Sequence, residues 1–419
     1  MQVNTYVDVD VVAIEQDDEV TVMLELSAPA PESVARRPPA AVQVVLDRSG
    51  SMHGQRLDAA KQALLRLVER LDASDRFGVI AFDDDVRVVA PAGELHDKDA
   101  VRRAVAGVYS GGSTNLSGAL LRGVQEARRV AGDGGATLLL LSDGHANCGV
   151  TDPARLASVA ARAREHAVTT STVGIGLGYD ELLLSELARG GQGNHVFAEH
   201  GDAAAAAVAG EVEGLLSKTV QAASLLIRPE ASVGSVTVWN DLPGHAVDGC
   251  VMVELGDLWA GEQRRLVLTF AVPAKSALGL ARVAELELRY VELPAFAEQT
   301  VTIPVHVNVV PGDQAAGRIP NPKVRTELIY QQVQGQKRRA ADALRDGDHA
   351  AARQAYEAAG AQLDAVMRVC PSDEIAEERD VVARLRLRSD AGEGEWAAKF
   401  SRADQARKSR KRGRADLGT

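Results

Sequence analysis

Apolar and polar residues change their spacing along the chain, and each change marks a different kind of element. Valines alternate with polar residues at 7–11 and again at 20–22. This two-residue period predicts two β-strands, joined by a polar turn at 15–19. Residues 28–40 are rich in proline and alanine and are typical of a linker.

From residue 41 the pattern alternates between short apolar runs and amphipathic helices. The continuous apolar runs at 41–46 and 137–142 predict strands that are buried on both faces, as in a parallel sheet. Between such runs lie helical segments with one apolar face, for example 56–71. This alternation predicts a doubly wound α/β domain over residues 40–217.

Residues 218–312 return to short alternating strands separated by Gly, Pro and Asp, which predicts an antiparallel β-sandwich. We expect residues 1–35 to join this sandwich, because an isolated pair of strands would leave open edges and a bare apolar face. The predicted fold class is therefore α/β, with the doubly wound domain inserted in, or followed by, the antiparallel sandwich.

The last hundred or so residues have a different character. Residues 320–400 show an alanine-rich helical period with a break at Gly347, which predicts a helical module containing a hairpin. The stretch from Arg402 to Arg414 carries seven basic residues and one acid, so we predict that residues 401–419 are a disordered basic tail. Contact of this tail with nucleic acid or an acidic membrane surface is the alternative to a solvated tail.

Composition narrows the possible function classes. The net charge of −11 argues against general binding to nucleic acid. The N-terminus lacks the basic and apolar regions of a secretory signal, and no apolar stretch approaches the roughly 20 residues of a membrane span. Three widely spaced cysteines form no zinc or disulfide framework. We therefore expect a cytoplasmic protein.

Candidate chemistry begins directly after the first buried strand, in the sequence DRSGSM at 47–52. Ligands of doubly wound sheets bind at the carboxyl ends of the strands. A tight turn there would bring Asp47, Ser49 and Ser51 towards one point. One carboxylate and two hydroxyls are oxygen ligands suited to a hard cation such as Mg²⁺.

Two further segments supply oxygen ligands at comparable places. GGSTNL at 111–116 precedes a helix and contains Thr114, and LLLLSDG at 138–144 places Asp143 at the end of the next buried strand. Each segment alone is typical of an Asx-turn or a helix cap. All three in order, each at the mouth of a strand or helix, favour a single site for a divalent cation.

These three segments resemble the metal-ion-dependent adhesion site of von Willebrand factor A domains, and the similarity covers about residues 40–215. The following TVGIGLGYDELLLSELARGGQGNHVF is similar to bacterial members related to inter-α-trypsin inhibitor heavy chains and to calcium-activated chloride channel-like proteins. The resemblance implies one bound Mg²⁺, with Ca²⁺ or Mn²⁺ as alternatives, whose shell is completed by an acidic residue of a partner protein. The implied ligands are Asp47, Ser49, Ser51, Thr114 and Asp143.

The favoured hypothesis is a non-enzymatic protein that binds its partner through this cation. One alternative is an adaptor or co-chaperone for a separate AAA+ ATPase, since the chain has no Walker A motif of its own. A metal-dependent hydrolase is a further alternative, with His145 as the base for Ser49 or Ser51. It is disfavoured because no ordered Ser–His–Asp arrangement is evident.

Two other motifs carry weaker hypotheses. GIGLGY at 174–179 superficially resembles a dinucleotide-binding loop, but Tyr179 stands where the third glycine is needed, and the motif follows a late strand. The acidic run 83–85 is typical of a solvated hairpin turn, with a second cation site as the alternative.

Overall fold

The computed structural model describes residues 1–30 and 37–410. The chain forms two compact units: Met1–Ala30 together with Thr219–Thr419, and Pro31–Lys218. Residues 31–36 of the predicted linker and residues 411–419 of the predicted tail lie outside the described residues.

The N-terminal segment forms three strands: β1 (Gln2–Val7), β2 (Val11–Ala13) and β3 (Asp18–Ser27). The prediction of two strands was therefore wrong, because the first valine run is divided between β1 and β2. The division falls at Asp8, whose carboxylate Oδ2 lies 2.7 Å from Arg325 Nε and whose carbonyl accepts a hydrogen bond from the Asn321 amide. These contacts interrupt the regular alternation of the strand.

The unit from Pro31 to Lys218 alternates strands and helices. Its elements are β4 (Ala41–Asp47), α1 (Gln55–Arg70), β5 (Arg76–Phe82), β6 (Val86–Glu94), α2 (Lys98–Ala106), α3 (Leu116–Val130), β7 (Ala136–Ser142), α4 (Pro153–Arg164), β8 (Val168–Ile175), α5 (Glu181–Gly190), β9 (Gln192–Ala198) and α6 (Gly201–Leu216).

The six strands of this unit lie in the order β6-β5-β4-β7-β8-β9, and all neighbours are parallel except β5 and β6. Apolar side chains on each face of the sheet pack against helices. On β4, Val44 and Leu46 face α1, α2 and α6, whereas Val45 faces α3, α4 and α5. The predicted doubly wound α/β fold is confirmed, with one antiparallel edge strand.

The second unit continues with seven strands that complete a sandwich. They are β10 (Lys218–Pro229), β11 (Ser235–Val238), β12 (Gly244–Val247), β13 (Cys250–Trp259), β14 (Gln263–Val272), β15 (Gly279–Glu292) and β16 (Ala297–Val310).

Two sheets make up this sandwich, in the orders β1-β3-β14-β11 and β12-β13-β10-β15-β16-β2. The N-terminal strands belong to both sheets: β3 pairs with β14 along its whole length, and β2 pairs in parallel with β16. The shared core includes Val20, Leu24, Leu225, Leu268 and Leu286, all fully buried. In the sequence, the α/β unit is thus inserted between strands β3 and β10 of the sandwich.

The chain continues with a short helix and four long ones. They are α7 (Gly312–Ala316), α8 (Pro322–Arg345), α9 (His349–Val369), α10 (Asp373–Asp390) and α11 (Gly394–Arg410). The predicted break at Gly347 separates α8 from α9, and Gly347 has a φ of 78°, which glycine adopts readily. No helix among the described residues combines the length and apolar character that crossing a membrane requires.

The prediction of disorder from residue 401 was wrong for residues 401–410, which form the second half of α11 and are mostly buried. Residues that are distant in the sequence form hydrogen bonds with the charged side chains of this segment. Lys408 Nζ donates to Glu378 Oε2 at 2.5 Å, and Arg410 Nε donates to the carbonyl of Asp241 at 2.9 Å. Of the basic residues that suggested a solvated tail, Lys408 and Arg410 therefore pack against the rest of their unit.

Candidate metal centre

The candidate site begins where two neighbouring parallel strands end. In the register of β4 and β7, Leu46 lies opposite Leu141, so Asp47 and Ser142 follow at the same sheet edge. Ser142 Oγ donates to Asp47 Oδ2 at 2.5 Å, and the Ser49 amide donates to Asp47 Oδ1 at 2.8 Å. Both oxygens of the fully buried Asp47 carboxylate are thus held in place.

The loop after β4 is a short 3₁₀ turn over Gly50–Met52. The fully buried Met52 side chain anchors this turn in the core, and the Gly50 amide donates to the carbonyl of Gly112. The turn directs Ser49 Oγ and Ser51 Oγ to within 3.1 Å of each other. Ser51 Oγ also donates to Asp143 Oδ1 at 2.7 Å, which joins the loops after β4 and β7.

Thr114 comes from a third loop, just before α3. Its amide donates to Asn147 Oδ1 at 2.8 Å, and Asn115 caps the helix by accepting from the Gly118 amide. These bonds fix Thr114 relative to the loop that follows β7. Thr114 is 3% exposed, so its side chain is buried.

Gly144 shows that ligands from all three loops surround one point. A Cβ atom built on Gly144 would lie 3.3 Å from Ser51 Oγ, 3.6 Å from Thr114 Oγ1 and 3.9 Å from Asp47 Oδ2. Together with the bonds to Ser49 and Asp143, this brings all five predicted ligands into one cluster. Ser142, Gly144 and Asn147 also contact the ligand cluster. In the sequence, only the positions of Ser142 and Gly144 next to Asp143 indicated that they belong to it.

The electrostatics of the cluster favour a cation. Burial, with a smaller contribution from the nearby charge of Asp143, raises the pKa of Asp47 to about 6, against the hydrogen bonds from Ser142 and Ser49. Two buried carboxylates and three hydroxyls form a donor set that fits a hard divalent cation. Among the described residues, no group of three or more His, Cys, Asp or Glu side chains is arranged to hold a metal ion, so this candidate depends on hydroxyls as well.

Sequence reasoning missed one charged neighbour of the cluster. Arg56 Nη1 lies 2.6 Å from Asp143 Oδ2 and forms an ion pair with it. No signal marked this residue, because an arginine in the first turn of an amphipathic helix has the pattern of a solvated charge.

The side chains of the alternative hypotheses lie elsewhere. His145 is exposed, with Nδ1 3.9 Å from Asp180 Oδ2, whereas the two serine hydroxyls contact each other and Asp143. In the acidic run, Asp83 Oδ2 pairs with Arg48 Nη2 at 2.6 Å, and Asp84 accepts from the Ser113 amide. These acids hold neighbouring loops together.

Comparison with known proteins agrees with the fold of this unit. The family model for the von Willebrand factor type A domain matches residues 42–208. An uncharacterized protein of Synechocystis is 28% identical over 263 residues, which cover 59% of this chain and 62% of that protein. Inter-α-trypsin inhibitor heavy chain H3 of Bos taurus is 32% identical over 128 residues, 28% of this chain and 14% of the heavy chain. The chain thus spans less than two thirds of these relatives.

A solved structure extends the fold comparison beyond the α/β unit. The von Willebrand factor type A protein of Catenulispora acidiphila superposes with a TM-score of 0.74 at 18% identity, covering 91% of this chain and 89% of that one. The order of α/β unit, sandwich and helices is therefore shared with a known structure. The matched family model assigns residues 42–208 of this chain to the von Willebrand factor type A domain.

Proposed function

We propose that this chain is a non-enzymatic interaction protein, which binds an acidic residue of a partner protein through one divalent cation. Domains of this family commonly serve as metal-dependent protein-interaction modules. The residues that would hold the cation are Asp47, Ser49, Ser51, Thr114 and Asp143. Mg²⁺ suits this oxygen set best, and Ca²⁺ and Mn²⁺ are substitutes.

The observation that carries the proposal is the convergence of oxygens around Gly144. Ser51 Oγ, Thr114 Oγ1 and Asp47 Oδ2 lie within 3.3–3.9 Å of one point, although they come from separate loops. The hydroxyl groups gather beside two buried carboxylates, an arrangement that the hydrogen bonding of the hydroxyls does not itself require. A bound cation would offset the charge of Asp47, whose burial is otherwise unfavourable.

The opening of the cluster supports a role in binding a partner. Asp47, Ser49, Thr114 and Asp143 are buried, whereas Ser51 is exposed. A cation held there would be reached from the side of Ser51. Mg²⁺ rarely fills its coordination shell with protein side chains alone, so a carboxylate of a partner can complete it.

Two observations support a non-enzymatic role. The hydroxyl oxygens of Ser49 and Ser51 are 3.1 Å apart, and the Ser51 hydroxyl donates to Asp143. Both hydroxyls thus lie in the ligand cluster, where a role as metal ligands accounts for their positions. His145 lies beside Asp180 and not beside either serine, so it is not placed to act as their general base. A cytoplasmic location belongs to the same proposal, since the three cysteines, all within the described residues, form no disulfide.

Affinity capture tests the proposal. The full chain is immobilised on a support in buffer that contains Mg²⁺, and the proteins that bind to it are eluted with EDTA. We expect a partner that is eluted by EDTA and is not captured by Asp47→Asn. Asp58→Asn, which makes the same change at an exposed position of α1, is the control and should capture the partner normally.

The outcome also separates the rival functions. Capture of an AAA+ ATPase would indicate that the chain is an adaptor for that ATPase. Capture that is identical in Mg²⁺ and EDTA would contradict a metal-dependent interaction. Phosphatase or esterase turnover that disappears in Asp143→Ala, with no captured partner, would replace the binding proposal by a hydrolase.

A further inference from the structure

Arg56 places a positive charge on the same carboxylate that the proposed cation would use. It is the second residue of α1, and its Nη1 atom lies 2.6 Å from Asp143 Oδ2 and 3.4 Å from the carbonyl oxygen of Ser51. The Asp143 side chain is fully buried, whereas that of Arg56 is 43% exposed. The guanidinium therefore reaches from the surface into the ligand cluster.

The turn after β8 makes room for this guanidinium. A Cβ atom on Gly176 would lie 3.3 Å from Arg56 Nε and 3.4 Å from its Cζ. A Cβ atom on Gly178 would lie 3.1 Å from the carbonyl oxygen of Asp143 and 3.9 Å from Arg56 Nη1. The two glycines thus allow close approach both to Arg56 and to the loop that carries Asp143. This accounts for part of the glycine pattern at 174–179.

The position of Arg56 on its helix opposes the helix dipole. A cation in the first turn of a helix lies beside the partial positive charge of that end, which is unfavourable. The ion pair with Asp143 offsets this cost. The orientation of Arg56 therefore depends on the Asp143 carboxylate. The Arg56 side chain would change its position if another cation bound to that carboxylate.

We propose that Arg56 is a tethered competitor for the cation, which lowers the metal affinity of the site and withdraws from Asp143 when the metal binds. This inference rests on the proposed metal-binding function. A divalent cation held by Asp143 and a guanidinium on Asp143 Oδ2 are like charges that share one carboxylate, so they repel each other in a partly buried site. The exposed part of Arg56 lets the side chain move into solvent.

The test is calorimetric titration of the full chain with Mg²⁺ and with Mn²⁺. We expect Arg56→Gln to bind both ions more tightly than the unmodified chain, by at least about tenfold, because the competing charge is gone. Arg66→Gln is the matched control, since it removes the same charge from an exposed position further along α1 and should leave affinity unchanged.

A second readout distinguishes competition from a purely structural role. In EDTA, Arg56→Gln should have a lower melting temperature than the unmodified chain, because Asp143 loses its ionic partner. The substitution therefore lowers stability and raises metal affinity, whereas a structural role would lower both. Arg56→Met keeps the apolar stem and serves as the second variant, with the same gain expected, if Arg56→Gln does not fold.

The possible results separate this inference from the proposed function. Equal or weaker metal binding by Arg56→Gln, with clear binding by the unmodified chain, overturns the role of Arg56 and leaves the metal site intact. Binding by Arg56→Gln alone supports strong competition. Failure of every variant and of the unmodified chain to bind either ion overturns both the metal site and the competition.

Discussion

Ser51 Oγ donates a hydrogen bond to Asp143 Oδ1 at 2.7 Å, although the two residues are 92 positions apart in the sequence. This bond joins the loop after β4 to the loop after β7, the two central neighbours of the α/β sheet. A cation bound between these loops would add a second link between them.

Replacing Ser51 with alanine should weaken Mg²⁺ binding by at least about tenfold, because both a ligand and the bond that orients Asp143 are lost. Calorimetric titration measures the change. Ser113→Ala is the control, since Ser113 is exposed and adjacent to Thr114 without being a predicted ligand. Equal affinity in Ser51→Ala and Ser113→Ala would exclude Ser51 from the metal shell.

Gly144→Ala should also weaken metal binding, without unfolding the protein. The added methyl group would lie 3.3–3.9 Å from Ser51 Oγ, Thr114 Oγ1 and Asp47 Oδ2, in the space that the ligands surround. Gly93→Ala is the control, because a Cβ atom there meets nothing within 4 Å. Unchanged Mg²⁺ affinity in Gly144→Ala, measured by titration, would show that the cation does not bind at this point.

The helical bundle contains a buried ionic cluster whose removal should be costly. Lys337 is fully buried, with Nζ 2.7 Å from Glu378 Oε1 and paired with Asp404. Lys337→Met would leave two buried carboxylates with Lys408 and Arg407 as the nearby cations, so we expect a loss of about 3–5 kcal/mol in the free energy of unfolding. Tryptophan fluorescence during denaturation reports on this unit, because Trp239, Trp259 and Trp396 all lie in it.

The contradicting result for this cluster would be a fluorescence transition that does not move. Arg353→Met provides the comparison. It also removes a cation from the bundle, but from an exposed pair with Asp390, and should change stability by less than about 1 kcal/mol.

The same cluster predicts the acid sensitivity of its unit. Burial alone would raise the pKa of Glu378 and of Asp404, but Lys337 and Lys408 together hold both values below the ordinary range. Carboxyl groups with a lowered pKa in the folded state stabilise it above their ordinary pKa, and this stabilisation is lost as pH falls further. The fluorescence transition should therefore move to lower denaturant concentration below about pH 4.

Glu378→Gln should show a smaller decrease between neutral and acidic pH, because one of the titrating carboxylates is absent. An equal decrease in Glu378→Gln and in the unmodified chain would place the acid-sensitive groups outside this cluster.

The elements that could be predicted from sequence are those with strong local patterns. The apolar runs of β4 and β7 and the amphipathic face of α1 identified a doubly wound sheet, and the order of motifs placed Asp47, Thr114 and Asp143 at strand or helix mouths. These features depend on residues that are close together in the chain. For this reason the local pattern was sufficient.

The features that could not be predicted depend on distant partners. The basic end of α11 looks solvated by composition, but Lys408 is neutralised by Glu378, 30 residues earlier. Asp8 ends β1 through contacts with Asn321 and Arg325, more than 300 residues later. Arg56 has no motif around it, and its ionic partner Asp143 lies 87 residues later. Local periodicity carries no information about such pairs.

The central claim is that one divalent cation binds at the cluster around Gly144. Calorimetric titration of the full chain and of Asp47→Asn with Mg²⁺ tests it most directly. Asn has nearly the shape of Asp and removes a buried charge, so this variant should stay folded. We expect one binding site per chain in the unmodified protein and loss of that site in Asp47→Asn. Equal binding by the two proteins, or no binding by the unmodified chain, would contradict the claim.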